Sequence, residues 1–507
     1  MGSLCYTVAF EGVEARLVEV QCAVTPGLPG FSIVGLPDKS VSEARDRVRS
    51  ALSALSVALP SKRITVNLSP ADLRKEGSHF DLPIALALLA ALDALPTDAV
   101  SGCVALGELS LDGTLIPVAG ALPAAVTAAT SDKTLICPTS AAPEAAWVGS
   151  AHVIGVDCLL EVMGHLSGQK PLTASPPGPA LPAHTNADLR DVRGQERAKR
   201  ALEIAAAGRH HLLMVGPPGS GKSMLAARLP GVLPPMSPRE ALDASMVHSV
   251  AGLLKDGSVL TQPPMRDPHH TASMPAMVGG GRGAKPGEIS LAHNGVLFLD
   301  ELPEFQRAVL DTLRQPLETG TIMVSRANAH VSYPSRVLLV AAANPCRCGY
   351  LTEADRACSR APLCGEDYMA RISGPLMDRF DLRIEVPPVQ LQDMHLPASG
   401  PSSAEVSDRV ATARARQAER YTQDDGVETN ADVSGDRLSD VLALDDAGRT
   451  MLLTAAKRFH LSARGYHRVM RVARTIADLA GAPTVSTHHL AEALSFRLVS
   501  TKSSEPG

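Results

Sequence analysis

The stretch that decides the fold reads Gly216-Pro217-Pro218-Gly219-Ser220-Gly221-Lys222-Ser223. It follows the apolar run 212–215, so it lies where a buried strand turns into a helix. Glycines in such a turn let successive backbone N–H groups converge on a polyphosphate at the helix N-terminus. Lys222 can then reach the β- and γ-phosphates, and the Ser223 hydroxyl is placed to ligate Mg²⁺. An ordinary glycine-rich turn is the alternative, but the flanking strand and helix favour a phosphate-binding loop.

The acidic pair Asp300-Glu301 supplies the second half of this site. It ends the apolar run 296–299, as expected at the carboxyl end of a buried strand. We expect Asp300 to hold Mg²⁺ through water, together with Ser223, and Glu301 to orient or deprotonate the attacking water. Two acidic residues could instead cap an ordinary strand, yet the phosphate loop in the same chain favours nucleotide hydrolysis. ATP and Mg²⁺ are therefore the predicted cofactors.

Length and charge limit the class of protein. A chain of 507 residues has room for about three domains, each with its own core. The sequence has no apolar span of membrane length and no N-terminal secretion signal, so we predict a cytoplasmic protein without membrane contact. Because the net charge is −5, any contact with nucleic acid must come from a local basic patch.

Composition and periodicity divide the chain into four predicted regions. Residues 1–165 alternate β-like runs with helical patterns, including a helix over 38–55, and are expected to form an α/β domain. Residues 166–188 are rich in Pro, Ala, Ser and Gly, which is typical of a semi-rigid linker. Residues 189–390 carry the nucleotide motifs and alternate strands with helices, which favours an open parallel sheet. Residues 391–507 are predicted to be mostly helical.

Two polar side chains further along the chain are candidates for catalysis. Asn344 ends the apolar run 337–343, where an Asn can hold the attacking water opposite the acidic pair or can form a turn. Arg379 offers a cation that could stabilise charge on a γ-phosphate bound by a neighbouring subunit. It could equally form a structural ion pair with Asp378 or Asp381.

Two more segments belong to the nucleotide-binding region. About eighty residues separate the two nucleotide motifs, which is longer than a minimal crossover between parallel strands. We therefore expect an insertion there, and it carries a Pro-His-His-Thr run at 268–271 and a glycine-rich run at 279–283. Residues 320–333 are predicted to form a β-hairpin that carries Arg326 and His330.

Four longer strings give the chain a specific family resemblance. They are GLPGFSIVGLPD over 27–38, VNLSPADLRKEGS over 66–78, PGEISLAHNG over 286–295 and LSARGYHR over 461–468. Together with the nucleotide motifs, these strings resemble the YifB/ComM family of magnesium-chelatase-like AAA+ ATPases nearly from end to end. The resemblance implies a P-loop AAA+ core, a C-terminal helical lid, and assembly into a ring that is expected to be a hexamer.

The same resemblance implies a function and assigns roles to single residues. ComM-like proteins are implicated in DNA branch migration during natural transformation, so branched or single-stranded DNA and recombination proteins are the implied partners. Asn344 looks like sensor 1, Arg379 like the arginine finger and Arg464 like sensor 2, with Arg468 a rival on the same helical stripe.

The insertion and the hairpin are expected to line a central pore. Arg326 and His330 are then either pore residues or part of a solvated hairpin tip. Because adjacent histidines point in different directions, a structural or pore role is favoured over metal binding for His269 and His270 of the insertion.

The N-terminal region is similar to the Lon protease domain, within the ribosomal protein S5 domain 2-like fold. Lon-type proteolysis uses a Ser nucleophile and a Lys base. The alignment places His79 at the nucleophile position, with Ser78 one residue early, and it places Leu122 and Pro123 near the base position. We therefore predict that this region lacks the catalytic dyad, has no protease activity and serves assembly or substrate engagement.

Four of the nine cysteines lie in one short polar segment, which also contains glycine and proline. They are Cys346, Cys348, Cys358 and Cys364. Four thiolates could close a tetrahedral Zn²⁺ site, although their spacing departs from paired zinc knuckles and leaves the fourth ligand in doubt. Zinc binding and free thiols therefore stay as alternatives. The other five cysteines are expected to be reduced and buried.

Three functions are compatible with these features. A DNA-translocating ATPase is the leading hypothesis, and it rests more on the resemblance than on charge. A chelatase-type remodeller is the second, although the sequence lacks the Asp-x-Ser-x-Ser motif of the adhesion-type domain that chelatases use. The third is a regulatory ATPase whose N-terminal region recruits proteins. Four basic side chains of the C-terminal region could contact DNA phosphates. They are Arg409, Arg414, Arg416 and Arg420. Most basic runs of this kind are simply solvated helix faces.

Overall fold

The computed structural model describes residues 2–180, 187–281, 284–326, 329–351, 356–388, 400–424, 426–442 and 444–497. Within these ranges, no helix combines the length and the apolar character needed to cross a membrane. The three regions that follow are a mixed α/β region, a parallel α/β core and a helical C-terminal region. The residue boundaries expected between them stay predictions.

A seven-stranded mixed sheet organises the N-terminal region. Its strands are β1 (Gly2–Glu11), β2 (Glu14–Thr25), β3 (Gly30–Val34), β4 (Arg63–Ser69), β5 (Cys103–Ala105), β8 (Thr134–Pro138) and β9 (Val153–Val156), and a separate hairpin pairs β6 (Glu108–Leu109) with β7 (Leu115–Ile116). The strand order is β3-β4-β2-β1-β5-β8-β9. In β4 every second side chain is buried, from Ile64 through Val66 to Leu68, as the alternation of its sequence predicts.

Six helices pack on this sheet. They are α1 (Lys39–Ala54), α2 (Asp81–Ala91), α3 (Thr97–Ser101), α4 (Ala121–Thr130), α5 (Ala142–Ala145) and α6 (Leu159–Leu166). α1 confirms the predicted helix, because Asp38 caps it by accepting a hydrogen bond from the Val41 N–H at 2.8 Å. Its apolar stripe packs on α2, whose residues 82–90 are all buried. The α/β class predicted for this region is confirmed.

The core that carries the two predicted nucleotide motifs is built on a five-stranded parallel sheet. Its strands are β10 (Leu212–Val215), β11 (Met265–Arg266), β14 (Val296–Leu299), β17 (Leu338–Ala343) and β18 (Leu382–Glu385), and two hairpins outside the sheet pair β12 (Gly279–Gly280) with β13 (Lys285–Pro286) and β15 (Thr321–Arg326) with β16 (Ala329–Pro334). The order is β11-β14-β17-β10-β18, and every pairing is parallel. The carboxyl ends of β10, β14 and β17 therefore meet at one edge, as the predicted fold class requires.

Helices cover both faces of this sheet and bury its strands. They are α7 (Glu196–Gly208), α8 (Lys222–Ala226), α9 (Pro238–Ala251), α10 (Met274–Val278), α11 (Glu288–Leu291), α12 (Arg307–Thr312), α13 (Pro316–Thr319), α14 (Leu363–Met369) and α15 (Gly374–Met377). Neighbouring residues of β17 belong to different hydrophobic clusters, Val340 to one and Ala341 to the other. This explains why the strands read as continuous apolar runs. The segment between the two nucleotide motifs holds β11, α10, β12, β13 and α11, so an insertion is present there.

The part of the C-terminal region that the structure describes consists of five helices, two of which pack against α7. They are α16 (Ser403–Arg420), α17 (Gly435–Leu442), α18 (Asp446–Arg458), α19 (Ala463–Leu479) and α20 (Thr487–Ser495). α16 and α19 both contact α7. The buried stripe of α19 runs through Val469, Val472, Ala473 and Ile476, as its helical periodicity predicts.

The basic side chains of α16 turn toward the rest of the protein. Arg409 Nε donates to Glu203 Oε1 at 2.6 Å, and Arg414 Nε donates to the Ala206 carbonyl at 3.0 Å, both on α7. Arg416 and Arg420 donate to Asp478 of α19. The four arginines proposed from the sequence as phosphate contacts therefore join α16 to α7 and α19.

The N-terminal region contacts the core at α9 and at the hairpin β15–β16. α4 packs on α9, and the Gly120 N–H donates to the Ser249 carbonyl at 3.1 Å. Glu144 accepts hydrogen bonds from the Ser249 hydroxyl and from the Leu122 N–H. Elsewhere the β1–β2 turn approaches β16 so closely that a methyl group on Gly12 would lie 2.6 Å from the Ser332 carbonyl oxygen. The N-terminal region therefore contacts α9, which follows the first nucleotide motif, and the hairpin β15–β16, which follows the second.

Candidate active site

The predicted phosphate-binding loop, residues 216–223, joins the carboxyl end of β10 to α8. Lys222 is the first residue of α8, and Gly221 precedes it. Gly219 and Gly221 have φ angles of +77° and +91°, a left-handed backbone that glycine adopts without steric cost. The first N–H groups of a helix have no partner within the helix, so the start of α8 offers hydrogen-bond donors to an anion.

The Lys222 ammonium lies at the centre of this loop. Its Nζ donates to the Gly216 carbonyl at 2.8 Å and to the Pro217 carbonyl at 2.9 Å. A further hydrogen bond reaches Asn344 Oδ1 at 3.3 Å. Burial lowers the pKa of Lys222, and the carboxylates of Asp300 and Glu301 oppose that shift. The structure therefore brings together the lysine of the first motif, the acidic pair of the second and the asparagine at the end of β17.

Ser223 and Asp300 join the two motifs directly. The Ser223 hydroxyl donates to Asp300 Oδ2 at 2.6 Å, from the first turn of α8 to the end of β14. A hydroxyl and a carboxylate are hard oxygen donors of the kind that Mg²⁺ prefers. The two residues predicted to hold Mg²⁺ therefore lie side by side and have the right chemistry for it.

Glu301 follows Asp300 in an unusual backbone conformation. Its φ of +51° is left-handed, which is uncommon for a residue with a side chain. Within the turn that follows β14, the Glu301 N–H donates a hydrogen bond to Asp300 Oδ1 at 2.9 Å. The Glu301 carboxylate is half exposed and lies 3.2 Å from His270 Nδ1, measured to Oε2.

The His270 contact is a feature that the sequence did not reveal. His270 lies thirty-one residues before Glu301 (301 − 270 = 31), in the insertion. It reaches Glu301 because it follows the two-residue strand β11, which pairs with β14 at the edge of the sheet. A two-residue strand leaves no hydrophobic pattern in the sequence, so only the tertiary pairing brings these side chains together.

Asn344 and the cysteine-containing loop that follows it pack against the phosphate loop. Asn344 comes directly after β17 and contacts Lys222, as described above. Gly349 has a φ of +86°, and a methyl group added there would lie 2.5 Å from Pro218 Cδ. Residues 345–349 therefore support the outer side of the loop that is expected to hold the phosphates.

The other predicted cations meet in a separate cavity. Its volume is about 640 Å³, and its lining includes Arg379, Arg464, Arg468 and Arg471 but no residue of 216–223. Arg379 is nearly buried and forms an ion pair with Glu318. That partner is neither of the two aspartates expected from the sequence.

Asp381 organises one wall of this cavity. It accepts a hydrogen bond from Arg468 Nη1 at 2.6 Å, and the same nitrogen donates to the Arg379 carbonyl at 2.7 Å. Burial alone would raise the pKa of Asp381, but Arg468 and His210 hold it well below its usual range. Both Arg464 and Arg468 line the cavity, but Arg468 is held in an internal ion pair, whereas the Arg464 side chain on the same helix is exposed.

The structure brings the four clustered cysteines together, because the Cys348 thiol is hydrogen-bonded to Cys346 and Cys358, and the Cys364 thiol to Cys358 and Cys346. Cys346 Sγ lies 3.0 Å from Cys348 Sγ, and this hydrogen bond lowers the pKa of the Cys348 thiol to about 7. Among the residues that the structure describes, no three His, Cys, Asp or Glu side chains are grouped so that they could hold a metal ion. None of the nine cysteines forms a disulfide bond.

The structure describes the side chains of only some of the remaining predicted residues. The hairpin over 320–333 is confirmed, but the side chains of Arg326 and His330 lie outside the described residues, as does Arg282 in the glycine-rich run. In the N-terminal region His79 is buried, with Nε2 at 2.9 Å from the Val8 carbonyl. Burial lowers the pKa of His79 to about 4, so the imidazole is neutral near pH 7.

Comparison with known proteins places the whole chain in one family. Residues 188–394 match the family described as magnesium chelatase, subunit ChlI, and residues 18–141 and 400–497 match the families described as subunit ChlI of Mg-chelatase and its C-terminal part. The chain is 45% identical over 501 residues to competence protein ComM of Haemophilus influenzae, which covers 98% of this chain and 97% of that protein. The chain belongs to the magnesium-chelatase-like YifB/ComM family.

Other relatives agree with this assignment. The YifB protein of Escherichia coli is 43% identical over 500 residues, 98% of this chain and 97% of its own. The magnesium-chelatase 38 kDa subunit of Rhodobacter capsulatus is 25% identical over 338 residues, 61% of this chain and 86% of its own. The resemblance inferred from the sequence is confirmed. This YifB/ComM member is a ComM-like AAA+ protein, and its family suggests ATPase activity with ATP and Mg²⁺ and assembly into a ring.

Proposed function

We propose that this protein is a ring-forming AAA+ motor that hydrolyses ATP and acts on branched or single-stranded DNA, as a branch-migration helicase in natural transformation or recombination. The observation that carries the proposal is the meeting of four side chains at one sheet edge. Lys222 contacts Asn344 at 3.3 Å, and Ser223 contacts Asp300 at 2.6 Å. These are the groups that phosphoryl transfer to water needs in one place.

Each of these groups has a distinct task in the proposed hydrolysis. Lys222 and the N–H groups of the phosphate loop bind the β- and γ-phosphates. Ser223 and Asp300 would hold Mg²⁺, which when bound neutralises charge on the phosphate oxygens. Glu301 accepts a proton from the attacking water, and Asn344 orients that water, so that ATP and water yield ADP and phosphate.

The arginine-lined cavity supports the proposal of a ring. Arg379 and Arg464 line one cavity that includes no residue of the phosphate loop, so we assign both to a nucleotide held by the next subunit. Arg379 Nε is buried and has no hydrogen-bond partner among the described residues, which leaves a donor for such a ligand. On this proposal the ring is a hexamer, the arginines act as arginine finger and sensor 2, and hydrolysis occurs between subunits.

The DNA substrate is supported by likeness to two relatives. The full-length relative at 45% identity is a competence protein, and a DNA replication licensing factor of Dictyostelium discoideum is 26% identical over 189 residues, 37% of this chain and 18% of its own. We therefore assign DNA to a central pore lined by the insertion and by the hairpin β15–β16. The N-terminal region would serve assembly or substrate engagement without protease activity, since the resemblance to the Lon protease domain puts His79, which is buried, at the nucleophile position.

A chelatase-type or protein-remodelling ATPase is the second candidate. The matches to magnesium chelatase subunit ChlI favour it, and the N-terminal region in contact with α9 could carry a client protein. Whether the protein is a chelatase-type or a protein-remodelling ATPase, its ATP hydrolysis would respond to a protein partner and not to DNA. The sharpest difference between the two candidates is therefore which ligand stimulates ATP turnover.

Steady-state ATP hydrolysis by the full chain, with and without a four-way DNA junction, tests the proposal. Glu301→Gln is the control, because the amide keeps the shape of the side chain but cannot take a proton; it should bind ATP and lose at least about a hundredfold in kcat. Strong stimulation by the junction, absent in Glu301→Gln, supports the motor and leads to a strand-migration assay. ATP turnover that ignores DNA contradicts it and favours the second candidate.

A further inference from the structure

The turn between β1 and β2 packs on the hairpin β15–β16. It consists of two residues, Gly12 and Val13. A methyl group on Gly12 would lie 2.6 Å from the Ser332 carbonyl oxygen and 2.9 Å from Val331 Cγ1, so the backbone of the turn lies directly on β16. Val13 is half-buried and packs against the hydrophobic cluster that contains Val331 and Tyr333. A turn of the N-terminal region therefore completes the packing of one strand of the hairpin.

The N-terminal region also holds α9 and the loop that follows it. At the start of α4, the Gly120 N–H donates to the Ser249 carbonyl at 3.1 Å, and the Leu122 N–H donates to the Ser249 hydroxyl oxygen at 3.4 Å. Gly257, in the loop after α9, lies so close to α5 that a methyl group there would be 2.5 Å from Pro143 Cβ. Two helices of the N-terminal region are thus fixed on α9 and its loop.

Phe10 of β1 joins these two contacts inside the N-terminal region. A methyl group on Gly120 would lie 2.4 Å from Phe10 Cζ, so the ring lies directly on the start of α4. The same ring faces the buried His79, with ring centroids 5.3 Å apart. Gly12 follows Phe10 by two residues, so the turn extends from a strand end that is packed on α4. Because packed interiors transmit displacement with little compression, α9 and the hairpin are connected through this strand end.

The hairpin needs such support, because it has two strands and lies outside the five-stranded sheet. A two-stranded hairpin is only marginally stable by itself, so its position is set by what packs on it. One support comes from the insertion, since the Tyr333 hydroxyl donates to the Ala284 carbonyl at 2.7 Å. The β1–β2 turn supplies another, from a different region of the chain.

We propose that the N-terminal region is a rigid link between α9 and the hairpin β15–β16, and that this link holds the hairpin in the position from which DNA stimulates ATP turnover. The dependence on DNA rests on the proposed function, whereas the link itself does not. A hairpin that moves freely against its neighbours cannot pass a contact with DNA on to the core, and a hairpin held on both sides can.

The first test measures hydrogen exchange of the 331–333 amides in the full chain without nucleotide or DNA. Val13→Asn should speed this exchange about three- to tenfold, because the polar side chain no longer packs against β16. Val34→Asn is the matched control: it is the same substitution at the end of the edge strand β3, where the side chain is 45% exposed, and exchange in β16 should stay within about twofold of wild type. Unchanged exchange of the α19 amides shows that each variant keeps its fold.

The second test measures ATP turnover with and without a four-way DNA junction. Val13→Asn should keep kcat without DNA within about twofold of wild type and should lose at least about threefold in stimulation by the junction. Ser249→Ala loosens the other end of the link and should cause a similar loss. The double variant should lose no more than either single variant, because a link released at one end no longer acts at the other.

The outcomes separate this inference from the proposed function. Unchanged exchange of the 331–333 amides in Val13→Asn, or an equal rise in Val34→Asn, overturns the link without reference to ATP. If the junction does not stimulate the wild-type protein, the proposed action on DNA fails, and the coupling to DNA fails with it, while the exchange result still decides whether the link exists. Full stimulation in Val13→Asn or in Ser249→Ala, or losses that multiply in the double variant, overturn the coupling of the link to DNA.

Discussion

Asp381 ties the helical C-terminal region to the core, and Asp381→Asn tests how much that tie contributes. Its carboxylate accepts hydrogen bonds from Arg468 Nη1 at 2.6 Å and from the His211 N–H at 3.1 Å. Asn keeps the shape and accepts one of these bonds, but it removes the charge. Arg468, which also donates to the Arg379 carbonyl, then loses its ionic partner.

The expected cost follows from the burial of the pair. Removing one partner of a fully buried ion pair destabilises a protein by about 3–5 kcal/mol. Because the Arg468 side chain is 12% exposed and Asn still accepts a hydrogen bond, we expect about 2–3 kcal/mol here. A tenfold change in an equilibrium constant corresponds to about 1.4 kcal/mol, so the equilibrium constant for local opening of α19 should rise about 30- to 140-fold.

The pH dependence of this difference has a defined sign. The pKa of Asp381 in the folded protein lies well below its ordinary value, because Arg468 and His210 outweigh the opposing effect of burial. A carboxylate of this kind contributes its full stability above the pKa of the unfolded chain and loses it as pH falls toward the folded-state pKa. The stability difference should therefore be constant from about pH 8 to about pH 5 and shrink below about pH 4.

Hydrogen exchange of the α19 amides is the appropriate assay, since a chain of this size is not expected to unfold in one step. Asp378→Asn is the matched control, because Asp378 is 40% exposed and lies 4.0 Å from Arg383. It should change protection by less than about a factor of three. Equal protection of α19 in the two variants would refute the reasoning.

Three further substitutions probe other contacts. Arg379→Ala should leave ATP binding by the isolated site unchanged and lower ring ATPase activity about a hundredfold, measured as kcat at saturating ATP; an unchanged kcat contradicts action on the neighbouring subunit. Gly349→Ala should weaken binding of a fluorescent ATP analogue about tenfold through its contact with Pro218, whereas Gly374→Ala, where a methyl group meets nothing within 4 Å, should not. Ser249→Ala leaves the Glu144 carboxylate with one donor fewer and should destabilise the junction of the N-terminal region with α9 by about 1–2 kcal/mol, read from local hydrogen exchange; protection equal to wild type argues against the tie.

Much of the candidate site could be predicted because its parts are short and local. The phosphate loop needs glycines, a lysine and a hydroxyl in consecutive positions between a strand and a helix, and all of these are visible along the chain. Asp300 and Asn344 each end a continuous apolar run, so their position at a strand end was also readable. Arg379 was recognised as a cation, but its partner Glu318 was missed because it lies sixty-one residues away (379 − 318 = 61) on another element.

By itself, the sequence determined the longer strands and helices, the candidate residues of the nucleotide site and the family, since these depend on local patterns and on strings long enough to be specific. Only the tertiary structure placed His270 beside Glu301, gathered Arg379 and Arg464 in one cavity and joined the arginines of α16 to α7 and α19. Such contacts join residues far apart in the chain, and packing in three dimensions selects them from many alternatives of similar local chemistry. The order of the strands in the sheet, which no single segment encodes, is what brings the insertion to the catalytic edge.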